Sequence, residues 1–420
     1  MEEFDTVVVG AGQAGVAMSE HLTNLGIDHV VLERDRVAER WRSERWDSLV
    51  ANGPAWHDRF PNMKFDCDDD AFPDKERVAA YFEAYAKRFN APIRTGVEVT
   101  AVTPHRGRFV VETSEGVINA RHVVAATGPF QKPAIPPVIP VDAGPLQMHS
   151  NAYRNPGQLP DGAVLVVGGG SSGVQIADEL MKAGRKVYLS IGPHDRPPRR
   201  YRERDNVWWL GVLGKWNADS PGPGTEHVTI AVSGAEGGKT IDFRRLAHQG
   251  MTLLGMTAGY KGGVVTFADD LPTNLAAGDA NYLSVLDDAD AYIARHGLDL
   301  PEEPEARIIP DDPECVRNPI TELDLREAGI STILWATGYK FDFSWIKSDT
   351  FDALGRPLHQ RGVSREPGLY FLGLPWQTRR GSSFIWGVWH DAKFIADQIA
   401  IQRGYMSYTG TAAIRVPEEA

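Results

Sequence analysis

Residues Thr6-Val-Val-Val-Gly-Ala-Gly-Gln-Ala-Gly15 constrain this chain more than any other stretch: four β-formers run into glycines spaced G-x-G-x-x-G. A helical run, Val16 to Leu25, follows, and then a strand, His29-Val-Val-Leu-Glu33, that ends on an acid. A β–α–β unit accounts for all of it. Gly10 makes the strand-to-helix turn, Gly12 lets the backbone approach a pyrophosphate, and Gly15 lets the helix pack on the sheet. Gln13 and Ala14 open the helix, whose free N–H groups and positive dipole end attract phosphate. Glu33 is spaced to accept hydrogen bonds from a ribose 2′-hydroxyl. The expected ligand is an adenine dinucleotide without a 2′-phosphate.

The unit returns at Ala163-Val-Leu-Val-Val-Gly-Gly-Gly-Ser-Ser-Gly173, where Gly168, Gly170 and Gly173 repeat the spacing and Ser171 and Ser172 open the helix. This reads as an internal duplication of a nucleotide-binding unit. Its second strand, Lys186-Val-Tyr-Leu-Ser190, ends in Ser190 where the first ends in Glu33, and Arg196, Arg199, Arg200, Arg202 and Arg204 come soon after. A carboxylate would repel a 2′-phosphate, whereas a serine and guanidinium groups would hold one. The first site therefore predicts FAD and the second NADPH. Two further strands end alike, in Ala126-Thr127-Gly128 and Ala336-Thr337-Gly338.

Composition narrows the class. A chain of 420 residues predicts two domains. The formal charge of −12 and the lack of any Lys/Arg-rich tract argue against a nucleic-acid surface. Two distant cysteines, Cys67 and Cys315, suit a reducing compartment and offer no C-x-x-C dithiol. No metal-ligand spacing stands out. Without a basic, apolar leader or a run of 18 apolar residues, the expectation is a cytoplasmic protein that spans no membrane.

Between the motifs, residues 34–65 are polar and aromatic and read as an extended cover along a ligand. Asp74 to Phe89 predicts a helix capped by Asp74, and Tyr282 to Arg295 predicts another. Trp208-Trp209-Leu210 suggests an apolar wall, and Ser220–Gly224 and Gly234–Lys239 suggest loops. A last helix starts at Phe384, with Ser382 or Ser383 as its cap, and order loosens from Gly404. The expected domains are 1–154 and 326–420, two parts of an FAD-binding domain, with an NADPH-binding domain at 155–325.

These residues resemble the FAD- and NADPH-dependent class B flavoprotein monooxygenases: flavin-containing monooxygenases, plant indole-pyruvate monooxygenases and Baeyer–Villiger enzymes. The likeness rests on both glycine motifs, Glu33 followed by Glu39-Arg-Trp41-Arg42, both Ala-Thr-Gly ends, and Gln147-Met-His149-Ser-Asn-Ala-Tyr153-Arg154. Departures are Ala143 and Pro145, where the family's fingerprint has Phe and Gly, Ala38 in place of glycine, and Gly373-Leu374-Pro375 in place of an aspartate. The nearest likeness is to short bacterial members. The resemblance implies an α/β fold of two Rossmann-like domains, of the three-layer ββα type, with the NADPH domain inserted in the FAD domain. It adds Arg34, Trp41, Arg42 and Ser383 to the cofactor contacts. It implies hydride transfer from NADPH to flavin, a flavin C4a-peroxide formed with O2, and one oxygen atom added to a small organic substrate. Asn52 would supply the amide that supports that peroxide, and a homodimer is compatible with it. Two other readings stay open: an NADPH oxidase or reductase that inserts no oxygen, and a nucleotide-binding redox regulator.

Overall fold

The structure, a computed structural model, describes residues 2–220 and 229–408. The expected loop beyond Ser220 and the tail after Tyr408 lie outside the described residues. Contacts divide the chain into two units, one of residues 1–39, 80–129 and 341–420 and the other of residues 40–79 and 130–340.

In the first unit, five parallel strands stand in the order Leu369–Phe371, Gly116–Ala125, Glu2–Val9, His29–Glu33, Ile93–Thr95. Val7, Val8, Val30, Val31, Val123 and Val124 are all buried, so both sheet faces are covered and the β-branched runs are continuous. A meander, Val99–His105 and Arg108–Thr113, joins antiparallel to the edge of Gly116–Ala125. The strand order reverses beside the first strand, where open α/β sheets bind ligands.

The second unit repeats the plan. Its parallel strands are Thr252–Leu254, Val187–Ser190, Ala163–Val167, Ile330–Trp335 and Leu146–His149. Thr257–Lys261, Val264–Phe267 and Glu322–Asp324 form its antiparallel meander. Two Rossmann-like sheets, the second inserted in the first, match the expected fold class. The expected boundaries do not coincide with the units, because Leu146–His149 is an edge strand and Ile330–Trp335 an inner strand of the second sheet and residues 40–79 pack with that unit.

Local expectations meet mixed outcomes. The Lys75–Arg88 helix begins as read, with the Asp74 carboxylate accepting from the Arg77 N–H at 2.7 Å. The helix read from Tyr282 starts at Leu271 and runs to His296, with Pro272 in its first turn. Trp209 is fully buried inside the Asn206–Val212 helix and is packing, not a pocket wall. The last helix, Ile385–Ser407, continues past Gly404 and has no side-chain cap. Ser382 instead closes the preceding turn, its hydroxyl accepting from the N–H groups of Thr378 and Arg379.

Among the described residues five histidines, His21, His29, His122, His149 and His194, are buried, and desolvation lowers the pKa of each below its ordinary 6.5. Each imidazole is neutral in the fold, whereas the unfolded chain takes up its protons near pH 6.5. The unfolded state thus binds more protons below that pH. This stabilisation is complete above about pH 6.5 and is lost as pH falls toward the folded-state values. Urea unfolding at a series of pH values should show stability declining from about pH 6.5 to 5. Each histidine contributes up to about 1.4 kcal/mol per pH unit. A flat profile across that window would contradict the neutral buried imidazoles.

Candidate dinucleotide sites

At the first motif the backbone does what the glycines permit. Gly10 has φ +103°, and a Cβ there would stand 2.8 Å from the Ala126 carbonyl oxygen. A Cβ on Gly15 would stand 1.8 Å from the Gly10 oxygen, so helix Gln13–Asn24 lies directly on the turn. Gly12 differs: a Cβ would meet nothing within 4 Å. The chain there faces open space, as a pyrophosphate requires, and among the described residues no acceptor meets the Gln13 or Ala14 amide. Glu33 accepts from the Ala11 N–H (2.8 Å) and the Asp35 N–H (2.9 Å), which fixes its carboxylate at the strand end. Beside it a cleft is lined by Arg34, Asp35, Arg36, Glu39, Thr95 and Gly96. Ala126 closes the neighbouring strand through its N–H to Val9 (2.9 Å), Thr127 follows, and Gly128 turns at φ +73°. Gln13 Nε2 donates to the Ser383 carbonyl at 2.8 Å, tying the motif to the last helix. These features fit FAD.

The second motif copies the first. Gly168 has φ +115°, a Cβ on Gly173 would stand 1.8 Å from the Gly168 oxygen, and Ala336 donates to Val167 at 2.8 Å ahead of Thr337 and Gly338 (φ +78°). Register corrects one expectation, however. Val9 pairs with Leu32 and Val167 with Ser190, and the amides of Gly10 and Gly168 donate to Leu32 and Ser190 respectively. Ser190 is therefore the counterpart of Leu32. Buried Ile191 stands where Glu33 stands. The absence of an acid holds, but the serine is no phosphate ligand: its hydroxyl is buried, donating to the Gly255 carbonyl (2.8 Å) and accepting from the Thr257 N–H (3.1 Å). Ser190→Ala should leave the NADPH to NADH ratio of kcat/KM unchanged and cost about 1–3 kcal/mol of stability through the orphaned amide. Kinetics with both cofactors and urea titration check this.

The arginines are corrected likewise. Arg199 is buried, paired with Asp205, donating to the Asn52 carbonyl and stacked 5.1 Å over Phe72. Arg196 is held by Asp279 at 2.7–2.9 Å. These are structural ion pairs, already committed. Arg200 is exposed and reaches the Gly238 carbonyl at 3.3 Å. Ser172 is exposed at the helix start.

Asn52 lies in the second unit and is exposed. Its Oδ1 accepts from Gln175 Nε2 at 3.0 Å, which turns its Nδ2 outward with no protein acceptor among the described residues. Trp41 packs on the second unit's core and Arg42 faces Glu76 at 3.6 Å. The fingerprint His149 donates from Nε2 to the Gly338 carbonyl (2.9 Å) while Nδ1 accepts from the Asn151 N–H (3.2 Å). That bonding selects one neutral tautomer and holds the Ala-Thr-Gly end. Tyr153 is buried and donates to Glu179 at 2.6 Å. His390 is exposed, whereas Asp391 is buried and accepts from Thr378 at 2.6 Å, so the two form no acid–base pair. Sequence reasoning missed Gln175, whose place one turn into the second helix was the available signal.

Comparison with known proteins agrees with this geometry. A Geobacillus kaustophilus protein named as an uncharacterized oxidoreductase, CzcO-like, is 33% identical over 94% of this chain and 98% of its own length. The chain belongs to the CzcO-like oxidoreductases. The pyridine nucleotide-disulphide oxidoreductase family pattern matches residues 7–207, which contain both glycine motifs. A probable indole-3-pyruvate monooxygenase of Arabidopsis thaliana, YUCCA4, is 27% identical over 97% of this chain and 92% of its own. A solved flavin-containing monooxygenase from Stenotrophomonas maltophilia shares the fold, with a TM-score of 0.68 over 96% of this chain and all of its own at 19% identity. The chain is thus an oxidoreductase of that family, with a fold that solved flavin-containing monooxygenases share. No helix among its described residues is long and apolar enough to cross a membrane.

Proposed function

We propose that this oxidoreductase is a monooxygenase: NADPH, a proton, O2 and a small organic substrate give NADP⁺, water and the substrate carrying one added oxygen atom. The observation that carries the reading is the pair of like-built glycine sites, the first with an acid at the ribose position and the second without. FAD, held at the first motif, would supply hydride acceptance from NADPH and reactivity toward O2. The chain's own part is to hold and orient. Gly10, Gly12 and the Gln13 and Ala14 amides cradle the pyrophosphate, Glu33 takes the ribose hydroxyls, and Ser383 ties the closing loop to Gln13. In the second unit, Gly168, Gly170, Ser171, Ser172 and Gly173 hold the NADPH pyrophosphate, and the outward amide N–H of Asn52 is the donor assigned to developing negative charge.

The cysteines favour oxygen over a disulfide as the electron acceptor. Cys67 and Cys315 are both free thiols, and burial pushes both pKa values up, away from the thiolate form that disulfide exchange needs. The test is to purify the protein, measure bound flavin and NADPH oxidation, and screen amines, sulfides, electron-rich aromatics and ketones under isotopically heavy O2. Product heavier by one labelled oxygen is expected. Hydrogen peroxide equal to the NADPH consumed with every substrate would establish the oxidase reading, and protein that neither binds FAD nor oxidises NADPH would establish the regulator.

A further inference from the structure

The two glycine motifs differ in what meets the start of the helix. In the first, no group among the described residues accepts from the Gln13 amide. In the second, the equivalent Ser171 amide donates to the Ile230 carbonyl at 2.8 Å, and the Ser171 hydroxyl donates to the same oxygen at 2.7 Å. The contrast extends to the central glycine. A Cβ on Gly12 would meet nothing, whereas a Cβ on Gly170 would meet Thr229 Cγ2 at 3.2 Å and the Ile230 oxygen at 3.9 Å. A chain carbonyl thus lies where the first motif leaves room for a phosphate oxygen, with a partial negative charge against the helix dipole.

The segment is stitched in place on both sides. Asp195 N–H donates to the Thr229 carbonyl and Ala231 N–H to the Asp195 carbonyl, each at 2.8 Å, a short parallel bridge just beyond Ser190. On the helix side, Gln175 Nε2 donates to the Val232 carbonyl at 2.7 Å, and the Val232 N–H reaches the Ser171 hydroxyl at 3.3 Å. Ala231 is fully buried in the second unit's core. Residues 229–232 therefore compete for the same donors that a pyrophosphate would use.

We propose that residues 229–232 are a built-in competitor for the pyrophosphate of NADPH, so that nucleotide enters the second motif only as this segment withdraws. The inference rests on the reading of that motif as the nicotinamide-nucleotide site. The phosphate anion replaces the Ile230 carbonyl on the Ser171 amide, and Gln175 is released from Val232. Apparent affinity falls by the fraction of molecules in which the segment is out. Anything that loosens the segment raises NADPH affinity without touching the glycine cradle.

The experiment uses the FAD-loaded protein and NADP⁺, which binds without reacting. Hydrogen exchange should quicken at the Ala231 and Val232 amides when NADP⁺ is added, since both lose their acceptors. Ala231→Pro removes the N–H that holds the bridge to Asp195 and lies outside the cradle; calorimetry should show it binding NADP⁺ about tenfold more tightly, the worth of one such hydrogen bond. If NADP⁺ binds but exchange at 231 and 232 is unchanged or slower, the competitor is refuted and the site reading stands. If NADP⁺ binds neither parent nor variant, the site reading falls and this proposal with it. Should Ala231→Pro fail to fold, the exchange measurement on the parent protein decides alone.

Discussion

Gly12→Val should yield a protein as stable as the FAD-stripped parent and without bound flavin. The backbone at Gly12 has φ −79° and ψ −166°, which valine adopts freely, and a Cβ there touches no protein atom. The new side chain fills only the space assigned to the pyrophosphate. Losing two charge-assisted hydrogen bonds at about 1.5–3 kcal/mol each weakens FAD by about a hundredfold or more. Gly15→Ala is the contrasting variant. Its methyl collides with the Gly10 carbonyl, so the fold itself loses about 1–3 kcal/mol or more and flavin retention fails as a consequence. Visible flavin absorbance on purification, and thermal unfolding of the stripped proteins, separate the two effects. The comparison must use stripped protein, because bound FAD stabilises whatever binds it. A Gly12→Val protein that keeps a full complement of FAD would put the pyrophosphate elsewhere.

Asn52→Ala should leave FAD binding and reduction by NADPH intact while raising wasteful oxygen consumption. With Oδ1 held by Gln175, the amide presents Nδ2 as a donor, and such a preorganised donor at developing charge is worth about 2.7–4 kcal/mol. Its loss should speed hydrogen peroxide release about a hundred- to a thousandfold when no substrate is present. The rate of NADPH oxidation in air, with peroxide measured alongside, reads this directly. A rate equal to the parent's would make Asn52 a turn residue before Gly53-Pro54 and nothing more.

The sheets and both cradles were legible because the glycines act through backbone sterics that sequence spacing alone reports. Gly10 and Gly168 each need a positive φ, and Gly15 and Gly173 each need the missing Cβ. Ser190 shows where such reading stops. A strand's sequence does not mark its last paired residue, and one step of register exchanged Ser190 for Ile191 at the ribose position. The arginines failed for a different reason. Arg196 and Arg199 find their partners in Asp279 and Asp205, and nothing in a linear pattern separates a guanidinium saved for ligand from one spent on an ion pair. The 229–232 segment was invisible because its hold on Ser171 is almost wholly made by backbone carbonyls and amides. The start of Leu271–His296 is hard to see in the sequence because proline and glycine are poor helix formers in general, although Pro272 suits a first turn and Gly278 packs against His194.

One carboxylate near the centre of the first unit sets an order in time. Glu20, on the first helix, accepts from the Tyr85 hydroxyl at 2.9 Å and from Trp389 Nε1 at 2.6 Å, across 369 residues. His21 answers by bonding the Trp389 carbonyl at 3.0 Å with its ring 4.4 Å from the indole. The first glycine motif is made before residues 40–340, yet the helix that clasps it, Ile385–Ser407, is made after them. The second unit, contained within residues 40–340, has every one of its strands by then. On the ribosome the inserted half can therefore be finished first, while the Glu20 carboxylate on the first helix, with Tyr85 already made, waits for Trp389.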